Sequence, residues 1–162
     1  MAKVFMMCGR LCSGKSTHAE MLRKEHRAVI LSVDEITLAL FGQDAGEKHD
    51  DYVKRARKYL YEKSLDIIEM DINVILDWGF GTKKEREFAR EFYCSRNIPF
   101  EFHYIDIDDE EWKRRIEKRN KDVLAGKTNA YYVVDGLIAK LNSMFEKPEN
   151  SEIDMWFYQM GE

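Results

Sequence analysis

Gly9-Arg10-Leu11-Cys12-Ser13-Gly14-Lys15-Ser16 follows directly on the apolar run Lys3 to Cys8. The eight residues fit G-x-x-x-x-G-K-[ST] between an expected strand and an expected helix. The glycines let the backbone turn so that successive N–H groups point inward, and the following helix adds its positive end. Such a hollow suits phosphate. Gly9, Cys12, Ser13, Gly14, Lys15, Ser16 and Thr17 are therefore the candidate ligands of a triphosphate tail, with Cys12 contributing backbone only. Lys15 can reach the β and γ phosphates, the Ser16 hydroxyl is placed for Mg²⁺, and Thr17 for the α-phosphate. By residue usage alone roughly one random chain of this length in two hundred would match. The strand before, the helix after and the position at the chain start make a chance glycine turn the weaker reading.

Working outward, Ala28–Ser32, Asn73–Leu76 and Phe100–Ile105 are further short apolar runs, and Met155–Met160 reads as a fifth strand. Helical patterns separate them. The spacing predicts helices from Lys15 to about Lys24 and from near Asp34 to Gly42. The longest runs from His49 to Asp71, with Val53, Ala56, Leu60, Ser64, Ile67 and Ile68 on one stripe. Thr82-Lys83-Lys84-Glu85 has capping-box spacing for a helix through Asn97, ended by Pro99, and Asp108 to Glu111 a weaker version for one through about Asn120. Strands joined through helices of this length pair in parallel by right-handed crossovers. The expected fold is α/β, a three-layer α/β/α sandwich on a parallel, five-stranded sheet with a small helical lid, residues 1–162 forming one domain.

Composition sets the outer limits. With 162 residues, 44% hydrophobic and 12% aromatic, the chain can bury a core of its own. Apolar runs of about five residues fall far short of the roughly 20 that cross a bilayer, so no membrane partner is expected. The start of the chain has no apolar stretch long enough for a signal peptide, which points to the cytoplasm. Cys8, Cys12 and Cys94 are odd in number and lack C-x-x-C spacing, which suits reduced thiols. The four histidines show no metal spacing. A net charge of -4 argues against a broad duplex-binding face, leaving room for contact with a strand end.

Carboxylates gather where the ligand should lie. In a parallel sheet the C-terminal strand ends share one edge, so Asp34 after the second strand and Asp77 closing the third converge near the glycine loop. Asp34 is the candidate base that orients and deprotonates an acceptor hydroxyl. Its alternative role is a first-turn acid, since Ser32-Val33-Asp34-Glu35 also has capping-box spacing. Asp77 has the position of a Walker B acid supporting a metal or the acceptor, its alternative being a cap on the Gly79-Phe80-Gly81 turn. Trp78 and Phe80 beside it are either an acceptor wall or core.

Arg115 and Arg119 share one helix face after the fourth strand and can swing over a nucleotide. Equally, Glu110 to Arg114 and Glu111 to Arg115 are i,i+4 pairs of the kind a solvated helix carries. Lys121 to Ala130, with Gly126 and few large apolar groups, reads as a mobile lid that would exclude water.

Taken together, Gly9 to Thr17, Asp34, Asp77, Arg115-x-x-x-Arg119 and the late Phe145-Glu146-Lys147-Pro148 resemble the small P-loop kinases of the polynucleotide kinase, zeta toxin and chloramphenicol phosphotransferase group. The resemblance implies ATP with Mg²⁺, Asp34 as base, Arg119 nearest the transferring phosphate and Arg115 flanking the nucleotide. Where polynucleotide kinases carry an arginine three residues after the catalytic acid, this chain has Thr37. That departure favours phosphoryl transfer to a small-molecule hydroxyl over transfer to a nucleic-acid 5' end. A GTP-hydrolysing switch fits poorly, because Asn120-Lys121-Asp122-Val123 lacks N-K-x-D and Asp77-Trp78-Gly79-Phe80 misses D-x-x-G. A degenerate ATP-binding regulator is the remaining alternative. The sequence is silent on the acceptor's identity and on oligomeric state.

Overall fold

The computed structural model describes residues 1–159. Five strands form one sheet: β1 (Val4–Cys8), β2 (Val29–Ser32), β3 (Val74–Asp77), β4 (Phe100–Ile107) and β5 (Met155–Gln159). Every neighbouring pair is parallel, in the order β2-β3-β1-β4-β5. Met160, which the sequence reading added to β5, lies outside the described residues. Among the described residues no helix is long and apolar enough to cross a membrane.

β1 sits at the centre, and its five residues are all buried, each side chain contributing about 1.5–3 kcal/mol on the scale for full burial. Alternation sorts them by face. Val4, Met6 and Cys8 share a core with Val74, Leu76, Phe102 and Tyr104, covered by α3 (His49–Glu69) and α4 (Lys83–Cys94) through Leu60, Tyr61, Ala89 and Tyr93. Phe5, Met7 and Ile75 face the other way onto Ala19 and Leu22 of α1 (Lys15–His26). Helices on both faces make the expected three layers. α2 (Val33–Phe41) follows β2, and α5 (Asp109–Leu124) follows β4.

Element ends depart from expectation in places, with physical causes. α4 has its full capping box at Thr82 and Glu85 but stops at Cys94, three residues before Asn97. Asn97 adopts the left-handed conformation at φ 56°, and the chain turns there before Pro99. α5 runs on to Leu124, so the first four residues of the expected lid are helical, supported by the Lys118–Asp122 pair at 2.9 Å. A further helix, α6 (Asp135–Met144), was not anticipated. It packs Leu137 and Ile138 against a small cluster of Ile107, Trp112, Ile116 and Val133.

Candidate active site

The glycine loop has the geometry its residue types demand. Gly9 and Gly14 take φ of 155° and 104°, and Cys12, without being glycine, sits at 58°. A Cβ on Gly9 would stand 2.8 Å from both the Ile105 carbonyl oxygen and Ser13 Oγ. The Gly9 N–H donates to Gly79 O at 3.0 Å, tying the loop to the chain that leaves β3. Ser13 Oγ is buried without a partner among the described residues. Buried hydroxyls are rarely left unpaired, so a hollow kept open by two glycines with an orphan hydroxyl inside fits an anionic, oxygen-rich ligand such as a triphosphate.

Lys15 curls back over this hollow, its Nζ donating to Gly9 O at 3.1 Å and Arg10 O at 2.7 Å. Burial pushes its pKa below the usual lysine value, while Asp77 and Asp34 pull the other way. The Ser16 hydroxyl donates to Asp77 Oδ2 at 2.9 Å. Burial raises the Asp77 pKa, with the Lys15 charge and the Ser16 hydrogen bond opposing. Asp77 thus engages the loop helix instead of capping the Gly79-Phe80-Gly81 turn, whose Phe80 carbonyl is held by Arg86 Nη1 at 2.8 Å.

Register explains why the second carboxylate arrives. Ser32 pairs with Asp77 across β2 and β3, so Asp34, two residues on, leaves the sheet at the same edge. Ser32 is the N-cap of α2, its hydroxyl accepting from Glu35 N at 3.2 Å. Asp34 is consequently a first-turn acid that is not needed as the cap, and its side chain is exposed.

Arg115 lies along the back of the loop. Its Nε donates to Glu111 Oε1 at 2.7 Å, Nη1 to Ser13 O at 3.3 Å and Nη2 to Gln159 Oε1 at 3.2 Å. The Glu111 pair anticipated for a solvated helix is present, and Arg115 reaches the loop in spite of it. Arg114, by contrast, bonds Glu111. Arg119, one turn further along α5, lines the cleft over the hollow. A cleft of about 320 Å³ opens there, lined by Lys15, Ser16, Thr17, Arg115, Arg119 and Thr128 among others. Thr17 is exposed on its wall.

Of the two roles open to Trp78 and Phe80, the structure shows the core one: they are 8% and 1% exposed and stack on each other. Within the segment expected as a lid, the chain beyond α5 is exposed from Ala125 to Asn129, and its last residue, Ala130, together with Tyr132 and Val133 just past it, is held by side-chain hydrogen bonds from Gln43 and Asn120.

Sequence reasoning missed the residues that brace the loop. Arg10 Nη2 donates to Ile107 O at 2.8 Å and Nη1 to Asp109 at 3.0 Å, with its guanidinium over the Trp112 ring. Trp112 Nε1 donates to Leu11 O at 2.6 Å. Two of the loop's four variable positions, Arg10 and Leu11, thus dock on α5. The motif leaves them unspecified, so no local signal marks them.

A parallel sheet with the glycine loop between its central strand and first helix, and an acid on the adjacent strand bonded to the loop serine, defines a P-loop nucleotide-binding protein. The chain belongs to the AAA domain family, whose model matches residues 4–148. No curated protein matches its sequence. Among solved structures it resembles a kinase candidate from Chloroflexus aurantiacus j-10-fl, with TM-score 0.73, 15% identity, and 98% of this chain and 88% of that one covered. Kti12 of Chaetomium thermophilum, solved with ADP-AlF3, gives TM-score 0.70 at 17% identity over 97% and 88%. APS kinase CysC of Mycobacterium tuberculosis, solved with AMPPNP and APS, gives 0.68 at 18% over 97% and 88%. Likeness at these identities establishes the shared fold.

Proposed function

We propose that this protein is an ATP-dependent kinase that transfers the γ-phosphoryl group to a hydroxyl of a small-molecule acceptor. The observation that carries the reading is that register brings Asp34 and Asp77 out at the sheet edge that carries the glycine loop, with Ser16 bonded to Asp77. A loop alone binds nucleotide; a second carboxylate beside it gives an acceptor proton somewhere to go.

In the transfer, the acceptor oxygen forms a bond to the γ-phosphorus as the bond to the bridging β,γ-oxygen breaks, and ADP leaves with that electron pair. The hydroxyl proton passes to Asp34, whose carboxylate no hydrogen bond among the described residues engages. Lys15 exchanges its loop carbonyls for β and γ oxygens. Arg119 neutralises charge on the transferring group, and Arg115 flanks the nucleotide. Ser16 and Asp77 are the residues that would hold Mg²⁺, directly or through water, and the ion supplies neutralisation of phosphate charge. The likeness in fold to APS kinase CysC, a kinase solved with AMPPNP and the small molecule APS, supports this reading. So does the tying of Arg114 and Arg115 by Glu111, which leaves less free cation for a nucleic-acid strand.

The test is acceptor-dependent ADP release from MgATP across a panel of hydroxyl compounds and 5'-OH oligonucleotides. Asp34→Asn should lower turnover by about 10²-fold or more while ATP affinity stays within about twofold, the signature of a lost general base. Undiminished turnover in that variant removes Asp34 from the mechanism. Oligonucleotide phosphorylation with a steep salt dependence would replace the acceptor class. No uptake of ATP at millimolar concentration by calorimetry would end the assignment.

A further inference from the structure

The Asp34 carboxylate is held by no hydrogen bond among the described residues, so its aim depends on the helix turn beneath it. That turn has an unusual tether. Thr37, 1% exposed, is one turn along α2, and its hydroxyl donates back to Val33 O at 3.2 Å and Asp34 O at 3.3 Å. A threonine hydroxyl has one proton and two lone pairs. The proton is shared between these carbonyls, and a lone pair accepts the phenolic proton of Tyr131 at 2.6 Å, across 94 residues of sequence.

Tyr131 sits in the strap that crosses from α5 to the chain after α2. Two carboxamides grip the strap as a neighbouring strand would. Asn120 accepts from Val133 N at 2.7 Å and donates to Val133 O at 2.8 Å. Gln43 accepts from Tyr132 N at 2.9 Å and donates to Ala130 O at 2.7 Å. The Tyr131 ring meets His49 edge-on at 5.7 Å. Asn120 is on the same helix as Arg115 and Arg119, and Gln43 lies just beyond α2.

We infer that Tyr131 and Thr37 are positioning residues for Asp34: the seated strap fixes the first turn of α2, and so sets the base at the same time as it spans from the arginine helix to the acceptor side. This rests on the kinase reading and deepens it. A released strap takes the Tyr131 hydrogen bond from Thr37 and leaves that turn with only the contacts of α2 itself and its own packing, so productive aim and strap closure coincide. ATP gripped in the glycine loop is untouched by the relay, which separates rate from nucleotide binding.

Thr37 allows a test that packing and hydrogen bonding answer oppositely. Thr37→Val keeps shape and loses the hydroxyl; Thr37→Ser keeps the hydroxyl and loses a methyl. The full chain is assayed for MgATP turnover with water as the acceptor, alongside amide hydrogen exchange. Thr37→Val and Tyr131→Phe should each lower kcat about tenfold with KM for ATP unchanged, the double variant should be no worse than either, and Thr37→Ser should stay near wild type. Amides 35–38 should exchange faster in Thr37→Val and Tyr131→Phe. If Thr37→Val keeps the rate while Thr37→Ser loses it, or if faster exchange stops at residues 130–133, the inference is overturned. Asp34→Asn run in parallel separates the two readings: a rate equal to wild type there ends the base assignment itself, whereas a fall there with Thr37→Val unaffected ends only the relay.

Discussion

Ser16 Oγ stands 2.9 Å from Asp77 Oδ2, closing a bridge from the first turn of α1 to the last residue of β3. The bridge keeps a carboxylate at a place where the chain alone would prefer none. Burial raises the Asp77 pKa more than Lys15 and Ser16 lower it. An acid whose folded pKa exceeds its unfolded one costs stability as pH rises past the unfolded value, and the full cost is present above the folded one. Asp77→Asn should therefore raise the melting temperature of the nucleotide-free protein at pH 7, by about 2–4 °C if about 1 kcal/mol is relieved. Phosphoryl transfer should fall at least about tenfold, the usual direction of exchange between stability and activity. Calorimetric melting curves and ADP release decide it, and a lower melting temperature would contradict the account.

Gly9 allows a sharper steric prediction. At φ 155° it is in a region side chains rarely enter, and its Cβ would meet a backbone oxygen, Ile105 O, at 2.8 Å. Backbone cannot swing aside as a side chain can. Gly9→Ala should destabilise the protein by about 1–3 kcal/mol, the scale of strain at such positions. ATP uptake should be lost with it, because Ser13 Oγ at 2.8 Å is crowded by the same atom. Urea denaturation and calorimetric titration check the two halves separately.

What could be read in advance follows the reach of the signals. Gly9 to Ser16 carries its geometry in residue types at fixed spacing, and the capping residues Ser32, Thr82 and Asp108 announce helix starts within three positions. β1, β3 and β4 were legible as apolar runs because parallel strands are covered on both faces. α6 carries no such mark: Val134 offers no side-chain cap, Gly136 sits in its first turn, and none of its residues is fully buried. The convergence of Asp34 and Asp77 was deducible from topology. The partners of Arg10, Gln43, Asn120 and Tyr131 were not, since contacts 13 to 132 residues apart leave no trace in local pattern. Trp78 was ambiguous for a different reason, because a residue lining a ligand site after a strand-end acid and a residue entering the core look alike until the neighbouring Tyr61 is in place.

Glu111 gives a pH prediction with a definite sign. Hydrogen bonds from Arg114, then Arg115, hold its carboxyl down at about 2. A lowered acid adds stability above its ordinary value of 4.5 and surrenders it as pH falls towards the folded value. Glu111→Gln should be less stable than wild type at pH 7, and the gap should narrow through pH 4.5 and nearly close at about pH 2. Denaturant midpoints for both proteins at pH 7, 4 and 2.5 measure it. A gap independent of pH would mean that Glu111 acts by packing and not by charge.

Behind the third strand, Arg86 fastens the turn that carries the chain away from Asp77. It is 1% exposed, donating from Nε to Glu152 Oε1 at 3.0 Å and from Nη1 to Phe80 O at 2.8 Å. Burial works against the Glu152 charge, yet the Arg86 hydrogen bond holds that carboxyl below its ordinary pKa. Removing one member strands the other, which for buried pairs costs about 3–5 kcal/mol, whereas replacing both by apolar groups is often neutral. Arg86→Leu should destabilise on that scale, and Arg86→Leu with Glu152→Leu should recover much of the loss. The recovered double variant then isolates the turn's effect on the site. Phe80 O would have lost its guanidinium donor, so the link from Gly79 O to Gly9 N should loosen and ATP affinity fall even though stability has returned. If affinity returns together with stability, the pair serves the fold alone.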